Sequence, residues 1–133
     1  MDEIALLRPE GLVASPSFSH VAVVPPDATM IHIGGQNAVD ESSALVSDEL
    51  AAQVTQVMGN VYVALAAAGA TPDDLVSLSI LVVDDVDLEA AYAAAAPFLA
   101  RDADPPLVSV ARVAGLALPG ALVEVSAIAA MQR

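Results

Sequence analysis

The sequence predicts an α+β domain, one mixed β-sheet with two helices on one of its faces. Three observations predict it. Runs rich in β-branched residues stand near both ends and in the middle of the chain. Two stretches between them place apolar residues at three- and four-residue steps. The resulting order is β-β-α-β-α-β-β, with no repeat, low-complexity segment or linker, so residues 1–133 read as a single domain.

Asp2 to Leu7 is a short edge strand, closed by Arg8-Pro9-Glu10-Gly11. Phe18 to Val24 is the next strand. Pro25-Pro26-Asp27-Ala28 is a turn signal, and Thr29 to Ile33 returns as its hairpin partner. This strand ends at Gly34-Gly35-Gln36-Asn37, where two glycines imply either unusual backbone angles or close approach of another backbone or a ligand. Asp48 to Gly69 is the clearest helix. Ser47 or Asp48 caps it, Leu50, Val54, Val57, Val61 and Leu65 form its apolar stripe, and Gly69 ends it. Leu75 to Val83 is a strand. Leu88 to Arg101 is the second helix, with Pro97 set to kink or shorten it.

The last thirty residues carry two β-branched runs around Leu118-Pro119-Gly120, the pattern of an antiparallel strand pair. Parity along these strands leaves one charge in each apolar surround, Arg112 on the first and Glu124 on the second. A charge there is costly to bury unless paired or used. Arg112 and Glu124 therefore either form an ion pair or serve a ligand. Two helices cover only one face of the sheet. Val108, Val110, Leu122 and Ile128 are expected on the other, and such a patch predicts a symmetric homo-oligomer.

Composition narrows the function. The net charge is −13, with four Arg and no Lys, which argues against nucleic acid and against anionic membrane surfaces. No uninterrupted apolar run reaches the ~18 residues of a bilayer span. Met1-Asp2-Glu3 lacks a signal-peptide start, so a cytoplasmic protein is expected. Without cysteine there is no thiol catalysis and no thiolate metal site. His20 and His32 make no ligand pattern with the acids, so no metal is expected.

Four stretches together resemble the Rid (YjgF-type) family of enamine/imine deaminases. They are Phe18-Ser19-His20-Val21, Ile33-Gly34-Gly35-Gln36, Ala66 to Val76 with its Ala-Ala-Gly and Asp73-Asp74, and the closing Ala121-Leu122-Val123-Glu124-Val125-Ser126-Ala127-Ile128-Ala129. The resemblance spans nearly the whole chain. It implies a chorismate-mutase-like homotrimer with clefts between subunits, and cofactor-free hydrolysis of reactive imines or enamines to a carbonyl compound and ammonia. Gly35 and Glu124 match site positions of the family. The family's carboxylate-binding Arg, in Pro-Ala-Arg-Ser, is replaced by Val108 in Pro106-Leu107-Val108-Ser109. Phe18 stands for its Tyr and Gly34 for its Ser. An altered substrate preference follows, with Arg112 as a substitute anchor four residues along the strand from Val108. The alternative is a non-catalytic trimer that binds a small metabolite or a protein partner.

Overall fold

Two crossover connections set the architecture. The computed structural model describes residues 2–132. Strands β1 (Ala5–Leu7) and β2 (Val21–Val23) pair with each other in a small antiparallel sheet. The main sheet holds β3 (Thr29–Gln36), β4 (Leu75–Val83), β5 (Leu107–Val113) and β6 (Val123–Met131), in the order β3-β6-β4-β5. Helix α1 (Leu50–Ala67) connects β3 to β4, and α2 (Leu88–Leu99) connects β4 to its parallel neighbour β5. Both crossovers run in the same direction across the sheet. The strong preference for right-handed crossovers then places both helices on one face. Strand β6 enters last and lies antiparallel between β3 and β4.

Two expected pairings are corrected. β2 does not form a hairpin with β3; it pairs with β1. The two terminal strands are not adjacent, because β4 lies between them. The physical reason lies in β4, whose run Leu-Val-Ser-Leu-Ser-Ile-Leu-Val-Val is suited to a central strand and uses both of its edges.

The core lies between this sheet and α1. Val54, Val57, Val61 and Leu65 of the predicted stripe are buried there, with Leu78, Val82, Val123, Val125, Ala127 and Ala129 of the sheet opposite. α1 has the length and mean hydropathy of a membrane span, but its stripe is packed on the sheet. The helix starts later than predicted. Glu49 is its N-cap and makes no side-chain cap bond; the Ser47 hydroxyl accepts the Glu49 N–H. Gly69 (φ 78°) closes it as expected. The Ala70 N–H reaches the Leu65 carbonyl and the Gly69 N–H the Ala66 carbonyl, both in the left-handed C-cap pattern. Asp87 caps α2, and the helix ends two residues after Pro97.

Parity places the two sheet faces. Val108 and Val110 stand in register with Leu78 and Ile80, on the helix side. Leu122 packs against the core. Of the residues expected to face away from the helices, only Ile128 does so. It is joined there by Leu81 and Val113, among Ser77, Ser79, Ser109 and Ser126.

Candidate functional site

The site begins with a bulge. Ile33 stands opposite Ala127 and Gln36 opposite Val125, so Gly34 and Gly35 together face the single residue Ser126. Such a two-against-one step bends a strand and re-aims what lies beside it. Neither glycine has a positive φ. Close approach, rather than backbone angle, explains Gly35. A Cβ built on it would lie 2.9 Å from Cδ and Oε2 of Glu124 and 3.2 Å from its Cγ. Open space surrounds Gly34. Glu124, half-buried and in register with Leu81 of β4, therefore rests its carboxyl group on the bare backbone of the bulge.

Asn37 completes the cluster. Its Nδ2 donates to Glu124 Oε1 at 3.4 Å, and its Oδ1 is buried with no hydrogen-bond partner. A buried polar atom left unpaired costs free energy, so an orphan acceptor beside a carboxylate marks a place where a donor belongs. Asn60 of α1 donates from Nδ2 to the carbonyls of Asn37 and Val39, and Gln56 donates to Asn60 Oδ1 and to the Val39 carbonyl. The following turn is tied by the Asp40 carboxylate, which accepts from the Ser42 hydroxyl, the Ser42 N–H and the Ala44 N–H. These bonds, the Ser42 hydroxyl first, hold the Asp40 carboxyl below its ordinary range.

The structure thus brings Gly34, Gly35 and Glu124 together with Asn37 of the same Gly34-Gly35-Gln36-Asn37 stretch, and adds Asn60, a residue sequence reasoning did not single out. One signal was available. Gln53, Gln56 and Asn60 recur at helical spacing on α1 and form a polar line on a largely apolar helix.

The other named residues do not join them within one chain. Val108 points toward the helices, on the face opposite Glu124 within the chain. Phe18 lies on the helix side too, edge-on to His20. Arg112 is in register with the buried Val82, on the face opposite Glu124. Its Nη1 donates to the carbonyls of Asp84 and Val86 at 2.7 and 2.9 Å, tying the β4–α2 connection. The expected pairing of Arg112 with Glu124 is therefore not made within the chain, because the two strands present these side chains to opposite faces.

The remaining described arginines are also engaged. Arg8 pairs with Asp104 at 3.0 Å, and Arg101 donates to the carbonyls of Pro72, Leu75 and Asp104. On β5, the face shared with Glu124 presents Leu107, Ser109, Ala111 and Val113, none charged. His20 is held by the Val13 carbonyl at 2.8 Å. Among the described residues, no three of His, Asp and Glu converge as a metal-ligand set.

Residues 10–131 match the family model described as Endoribonuclease L-PSP. A solved structure of the Rid-family protein YyfB from Yersinia pestis is similar at 34% identity. It covers 98% of this chain and 100% of its own, with a TM-score of 0.83. The YjgF gene product of E. coli is similar at 31% identity over 77% of this chain and 81% of its own, TM-score 0.70. The yeast protein YEO7 is similar at 27% over 96% and 97%, TM-score 0.71. No curated protein matches the chain.

Proposed function

The chain belongs to the Endoribonuclease L-PSP family, among its Rid (YjgF-type) members, and from this premise we propose that it hydrolyses reactive imines or enamines in clefts between the subunits of a homotrimer. The observation that carries the reading is the Glu124 carboxylate seated on Gly35 with the orphan Asn37 Oδ1 beside it. That pair offers acceptors to a water molecule and to the nitrogen of a substrate. Glu124 takes a proton from water as it adds to the carbon of the protonated imine, forming a carbinolamine, and returns that proton to the nitrogen. As the C–N bond breaks, the carbinolamine hydroxyl loses its proton to solvent and becomes the carbonyl. One water is consumed, and a carbonyl compound and ammonia leave. No cofactor takes part.

Substrate preference follows from charge. Carboxylate recognition needs a charged fork or equivalent donors. Val108 stands where the family has its carboxylate-binding Arg, and within the chain no described arginine shares Glu124's face of the sheet, so imines bearing uncharged, apolar substituents are the substrates this reading favours. The net charge of −13 supports a small-molecule substrate over RNA, whatever the family's name. The same missing cation favours a second reading, a non-catalytic trimer that holds a metabolite or a protein partner.

A coupled assay separates the two. An amino-acid oxidase generates imines from a panel of amino acids, with catalase present, and their decay is followed. Faster loss of bulky apolar imines is the expected result. The Glu124→Gln variant should lose turnover by about 100-fold or more while keeping its assembly. No acceleration with any imine sinks the enzymatic reading and leaves the binding one.

A further inference from the structure

The face of the sheet that the helices leave bare is nearly free of charge. The four strands of the main sheet carry three ionisable side chains in all, His32, Arg112 and Glu124. Arg112 is on the helix side. The bare face therefore holds one carboxylate and one imidazole, on a chain with 17 acidic residues and a net charge of −13. Like charges oppose association, so a face with a single carboxylate is where copies of such a chain can meet.

His32 stands directly across from Ile128 of β6, with Met30 two residues away on the same face. It is exposed in the single chain. Glu124 is four residues from Ile128 along β6, roughly 13 Å. Its carboxyl group is taken up by Gly35 and Asn37. On this face β4 and β5 present no charged side chain. Outside the strands, Asp2 and Asp27 gather at Gln132, past the Thr29–Met131 end of the sheet. In a symmetric assembly that joins these faces, the neighbours' strands bring the same two groups and no other. A protonated His32 is then buried against apolar side chains with no free carboxylate to meet it, which is costly.

We propose that His32 is a pH switch on the assembly: its neutral ring lets the bare faces close, and its protonation opens them and takes apart the clefts between subunits. The proposal deepens the trimeric reading above and rests on it. Linkage fixes the sign. Separated chains bind the proton more readily than the assembly does. Association is therefore at full strength above the ordinary imidazole range, about pH 6.5, and is lost as pH falls below it. Each histidine weakens association by up to about tenfold per pH unit, so three give up to about a thousandfold. Acidification also lowers the net negative charge, which by itself tightens an assembly of acidic chains, so loosening is the mark of a buried cation. The chain has no Cys and only two His, so little else titrates in that window. The other, His20, is held within the chain by the Val13 carbonyl and stands edge-on to Phe18.

Light scattering on the full chain at fixed ionic strength, from about pH 8 to about pH 5.5, tests this. The expected result is the mass of three chains at the upper end and a reversible fall toward one chain at the lower, with the circular dichroism spectrum unchanged. His32→Gln should keep the three-chain mass across the range, and His32→Phe serves if the amide variant does not assemble. His20→Gln should respond as the parent does. The readout is mass, so it stands apart from imine turnover. A three-chain mass that persists at the acidic end overturns the switch and leaves the trimer standing. So does an equal fall in folded His32→Gln and His32→Phe, or a response abolished by His20→Gln. A parent that is a single chain at the upper end overturns the trimer reading, and the switch with it.

Discussion

At the scale of single residues, the decisive contact is that of Glu124 with Gly35. Any side chain at position 35 collides with the end of a flexible carboxylate side chain, not with backbone. Gly35→Ala should therefore leave the fold intact, with a melting temperature within about 4 °C of the parent. It should still reduce kcat on a responsive imine by on the order of 100-fold, since small displacements of a catalytic group are that costly. Equal loss of stability and activity would show that the glycine serves only the bulge. Asp40 gives a pH prediction. Its pKa is lowered in the fold by the Ser42 hydroxyl and by the N–H groups of Ala44 and Ser42. A depressed carboxylate contributes stability that is present above the unfolded pKa and lost as pH falls through the folded one. The protection factor of the Ala44 amide should fall on acidification through that window. In Asp40→Asn it should already be low at neutral pH and lose most of this pH response.

At the scale of elements, Gln53 links the start of α1 to the entry of β6. It is fully buried. Its Nε2 donates to the carbonyls of Ser47 and Gly120, and its Oε1 accepts the Leu122 N–H. Gln53→Leu preserves volume but orphans three backbone groups. It should cost roughly 2–4 kcal/mol in urea unfolding, because buried polar groups stripped of partners carry their full desolvation penalty. A cost below ~1 kcal/mol would mean that water replaces the amide. The two helices contrast in the same terms. α1 is anchored by a buried stripe and by this amide, whereas α2 fully buries none of its residues and packs Ala91, Ala94, Ala95, Phe98 and Leu99 only partly against the core.

At the scale of the whole molecule, the uncovered sheet face presents Ile128, Leu81 and Val113 among serines, with Glu124 on the same surface. In the proposed trimer this face is where chains meet. Light scattering should give three times 13.4 kDa for the parent chain. Ile128→Arg should shift the mass toward one chain and abolish imine hydrolysis while retaining the helical signal. A monomeric parent that turns over imines would remove the subunit cleft from the mechanism.

The sequence by itself determined the α+β class, the order of the elements and the family, because strand and helix periodicities and cap residues are local. Leu75–Val83 reads as the same strand in both descriptions, and Gly69 ends α1 because only a residue tolerant of positive φ fits there. The sequence also marked Gly34, Gly35 and Glu124 as candidates, but with no distance between them. Tertiary structure decided what local pattern leaves open, which strand edge pairs with which and hence which face a side chain takes. Inserting β4 between β5 and β6 separated Arg112 from Glu124 and turned Val108 toward the helices. A strand's period of two fixes which residues share a face, but the register against distant strands fixes which face is covered. The same long-range packing brought Asn37 to the Glu124 carboxylate and Asn60, 23 residues further along the chain, to the Asn37 carbonyl.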